Sequence, residues 1–207
     1  MATNFPTSVD VLTNPVSNDS LNSPSHSAQH ANANDAIEAV EDYLLNGAGR
    51  SGLVLIKTQV VGTSVSSVTV NDVFSATYDA YKIIVTKGST ASQAAVTLQL
   101  GSTTTGYYEV RPNCTFAGVL SANATNNGAS FNIGQVYTTG ALINDEVVNP
   151  FLSVATQHAT NLFSGGTTRM DQSFGYLANT TSYTAFTLGF SAAVTGCVIY
   201  VYGYRTA

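Results

Sequence analysis

The chain has 207 residues, of which 9% are charged, and its formal net charge at pH 7 is −5. With only seven Lys and Arg, it lacks the basic patches that neutralise phosphates, so nucleic-acid binding is not expected. No window has the long apolar run of a membrane helix, and the N-terminus lacks the basic and apolar regions of a secretory signal. We therefore expect neither membrane insertion nor a signal peptide.

Residues 1–22 are predicted to form an extended arm. Pro6 and Pro15 interrupt any periodic pattern, and the apolar residues of this segment are too few to form a core. Such an arm becomes ordered when it lies on another surface. Phe5, Val9 and Leu12 are the side chains expected to anchor it there.

Residues 23–46 carry the helical pattern of the chain. Ser23 suits the N-cap, with Pro24 at the first helical position, and Gly47 ends the helix. Asn34 is an alternative N-cap, because acidic residues follow it where the helix dipole favours them. Residues 23–52 are therefore predicted to be a helix followed by a glycine hinge.

One face of this helix has heptad spacing. Steps of four and three residues connect His26, His30, Ala33, Ile37, Val40 and Leu44. A narrow apolar stripe has to be buried, either on the domain that follows or against copies of the same helix around a symmetry axis. We predict an oligomer seam at Ala33, Ile37, Val40 and Leu44, too short to hold the oligomer without help.

Two features of this segment resemble ligand sites. GAGRSG matches the dinucleotide fingerprint at Gly47, Gly49 and Gly52, but the fingerprint needs a strand before the glycines and a helix after them. Here the helix comes first, so no cofactor is expected. His26 and His30 share a helical face, yet two nitrogens do not complete a metal site unless copies on an axis supply more. We predict no metal site.

From Leu53 to the C-terminus the pattern changes to a period of two, which predicts strands. Many short strands with no helix between them indicate an antiparallel sandwich or barrel over residues 53–207. The candidate strands are LVLIKTQV, SSVTVND, AYKIIVTKG, AAVTLQLG, YYEVRP, FNIGQVYT, NPFLSVAT, RMDQSFGYLA, SYTAFTLGFS and CVIYVYGYR. Mainly β, after one short helix, is the predicted fold class.

The last candidate strand alternates clearly. Cys197, Ile199 and Val201 point to one face, and the opposite face carries Tyr200, Tyr202 and Tyr204. The tyrosine stripe is predicted to be either a second packed surface or an interface with a partner. Cys197 and Cys114 lie in strand-like sequence and are expected to be buried, reduced thiols.

Catalytic chemistry finds little support in the sequence. His158 has no nucleophile motif near it, and the acidic residues of the β region are scattered. Asp145 and Glu146 are adjacent, so on a strand they would point to opposite faces and could not flank a substrate. We expect no enzyme and assign no catalytic residue. The 11 tyrosines, with many Asn and Thr, leave carbohydrate binding open.

The N-terminal run PTSVDVLTNPVSNDSLNSPSHSAQHANANDAIEAVE resembles a leader found at the start of many tailed-bacteriophage virion proteins, of the tail fibre, minor tail and head-fibre types. FSATYDAYKIIVTKG and GCVIYVYGYR look, more loosely, like the opening and closing strands of a jelly-roll-like β-sandwich of the same group. The resemblance implies a virion structural protein, commonly a trimer, assembled in the bacterial cytoplasm. Its leader would dock on the particle and its sandwich would project outward.

Three hypotheses follow. The first is a homotrimeric fibre or adhesin-like virion protein, whose partners are its own copies and other virion proteins. The second is a capsid decoration or head-fibre protein that stabilises the head. The third is a β-sandwich that binds or cleaves polysaccharide of the host surface.

Overall fold

The computed structural model of the chain describes residues 25–45, 52–164 and 169–205. The predicted arm, with Phe5, Val9 and Leu12, lies outside these residues. The chain divides into two compact units at the boundary between Gly52 and Leu53. Each unit is described by itself.

The first unit contains helix α1, His26–Leu45. Its first turn is closed by the Gln29 amide, which donates to the Ser25 carbonyl over 3.0 Å. The helix thus begins at His26, later than the pattern predicted, and Ser23 lies outside the described residues. No described helix is both long and apolar enough to span a membrane.

The second unit is built from antiparallel strands. Those of the described residues are β1 (Leu53–Val60), β2 (Val65–Val70), β3 (Tyr78–Thr90), β4 (Ala94–Leu100), β5 (Tyr107–Thr115), β6 (Leu120–Gly128), β7 (Phe131–Tyr137), β8 (Gly140–Val148), β9 (Thr156–Ser164), β10 (Arg169–Leu177) and β11 (Phe186–Arg205).

Strand β11 organises this unit because its 20 residues belong to two parts of the sheet. Its first half, from Phe186 to Gly189, pairs with both β2 and β4. Its second half, from Val198 to Tyr204, pairs with both β1 and β3. Register shifts in the β11–β2 ladder fall between Gly189 and Val194, where the strand passes from one part to the other.

The sheet closes on itself. Strand β4 pairs with β7, β7 with β8, β8 with β3, and β3 with β11, which returns to β4. These five strands therefore form a closed, barrel-like circuit. Beyond β8 the sheet continues through β9, β10 and β5 to β6, which ends this series.

The core lies inside the circuit. Most of its largest fully buried side chains come from β3, β4, β7, β8 and β11, and include Ile83, Leu98, Phe131, Ile143, Phe186 and Ile199. Tyr107 of β5 and Leu177 of β10 extend this core beyond the circuit. The alternation is clearest in β4, where every second residue of AAVTLQL is buried. Strict alternation is what a sheet with one core-facing side requires.

The predicted fold class is confirmed: the described chain is mainly β, an antiparallel sandwich-type sheet with one helix before it. Three details of the predicted strands are wrong. NPFLSVAT forms no strand before Thr156, β6 and β8 were not predicted, and the last two candidate strands are one continuous strand, β11. The β6 residues ATNNG have turn-like composition; Ala124, Thr125 and Gly128 pair with β5, and Asn127 has a positive φ at an irregularity of the ladder.

Candidate interaction surface

The predicted tyrosine stripe lies on the outward face of β11. Ile199 and Val201 are fully buried on the inward face, whereas Tyr200, Tyr202 and Tyr204 are partly exposed on the other. The rings of Tyr200 and Tyr202 are stacked, with centroids 6.5 Å apart. The outward face of β11 is thus a half-covered aromatic surface.

Tyr204 is held at one end of this stripe. Its hydroxyl donates to Oε1 of Glu146 on β8 over 2.6 Å, and Lys82 Nζ lies 3.9 Å from the same oxygen. Partial burial, with the carboxylate beside it, raises the pKa of Tyr204 to about 12. The phenol therefore stays protonated and acts as a donor at neutral pH.

The outward face becomes apolar toward β10, β5 and β6. We define the apolar patch as Val110, Leu120, Met170, Phe174 and Tyr176. Their exposed fractions are 52%, 79%, 53%, 47% and 45%. Register places Phe174 opposite Val110, and Met170 opposite Cys114, which is itself opposite Leu120.

An open groove of about 550 Å³ lies at the Leu120 and Met170 end of this patch. Its apolar walls are Pro112, Cys114, Leu120, Ala122 and Met170. At the other end of the patch, the rings of Tyr108 and Tyr176 stack with centroids 5.2 Å apart and planes 12° apart. The surface of the patch is therefore uneven, with an apolar groove at one end and a stacked aromatic pair at the other.

The inward face of β5, β9 and β10, together with Asp145 of the adjoining β8, is mostly polar, apart from the buried Tyr107 and Leu177 at one end. Its buried polar members among the described residues are Glu109, Asn113, Asp145, Thr156, His158, Thr160, Asp171 and Ser173, here called the polar cluster. They come from β5, β8, β9 and β10. The sheet thus has polar residues inside and apolar residues outside at this end.

His158 is at the centre of the polar cluster. Its Nδ1 lies 3.1 Å from Oδ1 of Asp145, and its Nε2 lies 3.3 Å from Oγ of Ser173. Phe131 of β7 stacks on the imidazole, with ring centroids 4.1 Å apart. Both ring nitrogens have partners, so the orientation of the ring is determined by β8 and β10, which carry these partners, and by Phe131 of the core.

Glu109 forms the second centre of the cluster. Its Oε2 accepts a hydrogen bond from the Asn132 amide over 2.7 Å and lies 3.9 Å from His158 Nε2. Arg111 Nε lies 3.0 Å from Oε1, a close ion pair without an aligned hydrogen bond. This polar interior links β5 to β7 and β9.

Gly175 makes this approach of strands possible. It stands between Glu109 and His158 in register. A Cβ at this position would lie 2.4 Å from the Tyr108 carbonyl oxygen and 2.9 Å from Glu109 Cβ. Only glycine allows β5 to lie so close to β10 here.

The connectivity Asp145–His158–Ser173 is that of an orienting carboxylate, a base and a nucleophile, in this order. All three side chains are buried, however, and Phe131 covers the imidazole, so the Ser173 hydroxyl is out of reach of a substrate. Burial raises the pKa of Asp145, whose Oδ2 has no hydrogen-bond partner. In this arrangement the three residues orient strands and do not present a nucleophile.

The remaining predicted residues lie as follows. Ile37, Val40 and Leu44 of α1 are 57%, 41% and 56% exposed, and Ala33 is partly exposed. His26 and His30 contact each other through their Nε2 atoms, 3.1 Å apart. Within residues 25–45, 52–164 and 169–205, no group of three His, Cys, Asp or Glu is placed to hold a metal ion.

Two further expectations concern single residues. Cys197 and Cys114 are both free thiols, but only Cys197 is buried as predicted, since Cys114 is partly exposed beside the groove. Asp145 and Glu146 do point to opposite faces: Asp145 is fully buried, and Glu146 is exposed.

The polar cluster was not predicted from the sequence. Its members are spread from residue 109 to residue 173 and meet only through the register of four strands. The alternation in TQHAT, where Thr156, His158 and Thr160 share one face, is the local signal for a polar inward face. It does not say which carboxylates come to face the histidine.

No protein-family model and no curated protein sequence matches the chain. Among solved structures, the chain is similar to that of the infectious bursal disease virus Gt strain at 10% identity, with a TM-score of 0.15, covering 73% of this chain and 43% of that one. It is similar to the VP2 subviral particle of the same virus at 9% identity, with a TM-score of 0.13, covering 75% and 42%. The chain thus spans less than half the length of these structures, and similarity at this level does not define a shared fold.

Proposed function

We propose that the chain is a structural component of a tailed-bacteriophage virion. In this proposal it forms a homotrimeric, fibre- or adhesin-like assembly that the N-terminal arm and α1 anchor to the particle, with the sandwich directed outward. Phe5, Val9 and Leu12 serve as anchoring side chains, and no catalytic residue takes part. The resemblance of the leader to virion proteins of this group supports the proposal.

The exposed seam of α1 is the observation that carries it. Ile37, Val40 and Leu44 are large apolar side chains at steps of three and four residues, and about half of each is exposed. The helix surface beside and behind this stripe carries Asn34, Glu38 and Glu41, which are exposed to solvent. A stripe of this kind is stable in water only when something covers it, and heptad spacing suits a copy of the same helix.

The composition of the sandwich fits this role. Only 9% of the residues of the chain are charged, and the outward face of β11 is built from tyrosines. Half-exposed aromatic rings with polar hydroxyl ends are typical of protein interfaces, where they combine apolar contact with hydrogen bonding.

Purified particles provide the test of virion membership. We expect mass spectrometry to detect the full chain in purified particles. Particles made with a chain that lacks residues 1–22 should contain at least tenfold less of that truncated chain. The truncated chain should keep its β-sheet circular dichroism. Equal incorporation of both chains would contradict anchoring by the arm, and absence of the full chain from particles would contradict the proposed function.

Oligomerisation through α1 is tested with Ile37→Asp, which places a carboxylate in the seam without a partner. We expect the dissociation constant of the oligomer, measured by sedimentation equilibrium, to rise at least tenfold. Ala31→Asp adds the same charge on an exposed side of the helix facing away from the seam and should leave the constant unchanged. If both variants associate like the wild type, the seam does not hold the oligomer and the sandwich alone does.

The stacked Tyr200 and Tyr202 rings favour a second candidate function, carbohydrate binding, because sugar rings pack on exposed aromatic faces. Host surface polysaccharide should then bind the full chain, with Tyr202→Ala weakening binding at least tenfold. Undiminished binding by this variant would exclude the tyrosine stripe as the sugar site, and release of reducing ends would indicate cleavage.

A further inference from the structure

Along most of their length β10 and β5 have inverted polarity, and the edge strand β6 beside them is largely exposed on both faces. An antiparallel sheet that covers a core normally turns apolar residues inward and polar residues toward solvent. Here Glu109, Asp171 and Ser173 are buried on the inward side, whereas Phe174 and Val110 are about half exposed on the outward side. The apolar side of this sheet therefore lacks a covering layer within the described residues.

The patch is large enough to form the centre of an interface. An aromatic side chain that is half exposed presents on the order of 100 Å². Together the patch residues expose roughly 400 Å², within the range of the largest apolar patch of a typical monomer. A stable interface buries about 800 Å² per partner, with an apolar centre and a polar rim. Gln172 and Asn161, which hydrogen bond over 3.0 Å beside the patch, provide polar groups of that kind.

The charge of the surface restricts the partner. The outward-facing residues of these three strands are Tyr108, Val110, Pro112, Cys114, Leu120, Ala122, Ala124, Met170, Gln172, Phe174 and Tyr176, none of which is charged. A strongly charged partner would lose its hydration here without gaining an ion pair. An uncharged apolar surface is the complementary one, and copies of this chain that turn the patch toward a common threefold axis provide it for one another.

We propose that a second copy of this chain packs on the apolar patch of Val110, Leu120, Met170, Phe174 and Tyr176. The stacked pair of Tyr108 and Tyr176 and the groove beside Met170 provide the relief against which the neighbour packs. This inference deepens the proposed function, on which it rests only for the expectation that the chain associates with itself. It assigns the main interface to the sandwich, with α1 as the supporting element.

Val110→Lys tests the proposal, with Val60→Lys as its matched control. Both valines are about half exposed or more, and Val60 on β1 is six strands away from β5. The full-length chain is measured by sedimentation equilibrium from about 0.5 to 50 µM, which covers the weak, micromolar end of the affinities that interfaces of standard size show. We expect an oligomer for the wild type and for Val60→Lys, and at least tenfold weaker association for Val110→Lys.

The outcomes separate cleanly. Association of Val110→Lys as tight as that of the wild type overturns the proposal, and so does a wild type that stays monomeric at every concentration. If Val110→Lys loses its β-sheet circular dichroism, Ala124→Lys decides instead, since Ala124 is exposed on β6 opposite Val110. A monomeric wild type that is nevertheless found in purified particles would overturn this interface and leave virion membership intact.

Discussion

The two ends of the sandwich differ in what they bury. The closed circuit of β3, β4, β7, β8 and β11 encloses apolar side chains such as Leu98 and Phe186. The extension through β9, β10, β5 and β6 adds only Tyr107 and Leu177 to this core. It otherwise buries carboxylates, hydroxyls and His158, and turns Phe174 and Met170 outward. Both regions consist of antiparallel strands with alternating sequences. They differ in whether most apolar side chains lie on the inward or the outward face of the sheet.

This contrast teaches how each end is stabilised. The circuit gains stability from apolar burial, which needs no partner. The polar interior of the extension contributes mainly by orienting strands, because a buried hydrogen bond or ion pair adds little net free energy. Its apolar face can contribute only when it is covered. The extension should therefore depend on assembly, and the circuit should not.

The largest effect is expected in the circuit. Leu98→Ala removes a fully buried side chain of β4 and should lower the free energy of unfolding by about 2–5 kcal/mol. Leu142→Ala on β8, where the leucine is 65% exposed, should change it by less than about 0.5 kcal/mol. Urea denaturation of the monomer measures both values. Similar losses for the two variants would contradict the position of the core.

A smaller loss is expected where the two ends meet. The Tyr107 hydroxyl of β5 accepts a hydrogen bond from the Leu100 amide over 2.8 Å and donates to the Thr103 carbonyl over 3.3 Å. Tyr107→Phe leaves the buried amide without a partner and should lower the free energy of unfolding by about 1–3 kcal/mol.

The same variant has a signature at alkaline pH. Burial raises the pKa of Tyr107 from 10.0 to about 12, so the folded protein holds this proton more tightly than the unfolded chain. The resulting stability is lost as pH rises from 10 to 12. The difference in unfolding free energy between wild type and Tyr107→Phe should therefore shrink over this window. A constant difference would show that the phenol is not buried.

The polar cluster should show the smallest effect, with a defined dependence on pH. Burial raises the pKa of Asp145 above its ordinary 3.8, so this group stabilises the folded state below pH 3.8 and loses that contribution as pH rises through its folded pKa. Asp145→Asn lacks this loss. In urea denaturation, the free energy of unfolding of Asp145→Asn minus that of the wild type should therefore be larger at pH 7 than at pH 4.

Asp79→Asn, which changes an exposed carboxylate, serves as the control and should show no comparable trend. A stability difference for Asp145→Asn that moves in the opposite direction between pH 4 and pH 7 would mean that Asp145 is stabilised as a carboxylate by His158. The cluster would then contribute as an ion pair and not as a costly buried acid.

The sequence predicted the features that depend on local pattern. Alternation in CVIYVYGYR correctly assigned Ile199 and Val201 to the core and the tyrosines to the opposite face, and the mainly β fold class followed from similar runs. Strand β6 was missed because LSANATNNG has turn-like composition, and its extended form depends on pairing with β5. Local composition carries no information on that pairing.

The polar cluster and the apolar patch depend on register between distant strands. His158 meets Ser173 through the β9–β10 ladder and Asp145 through the β8–β9 ladder. Phe174 and Val110 are neighbours only because β10 pairs with β5. Alternation predicts that residues share a face, but it does not predict which strands are adjacent or which face has a layer above it.

Oxidation of Met170 tests most directly whether the outward face of the extension is covered in the assembled protein. Met170 is 53% exposed in the single chain, and peroxide converts exposed thioethers to sulfoxide, which mass spectrometry of the peptide measures. At about 50 µM, where micromolar association is largely complete, we predict that Met170 is oxidised several-fold more slowly in the wild type than in Val110→Lys. Equal oxidation rates in the two proteins would contradict this prediction.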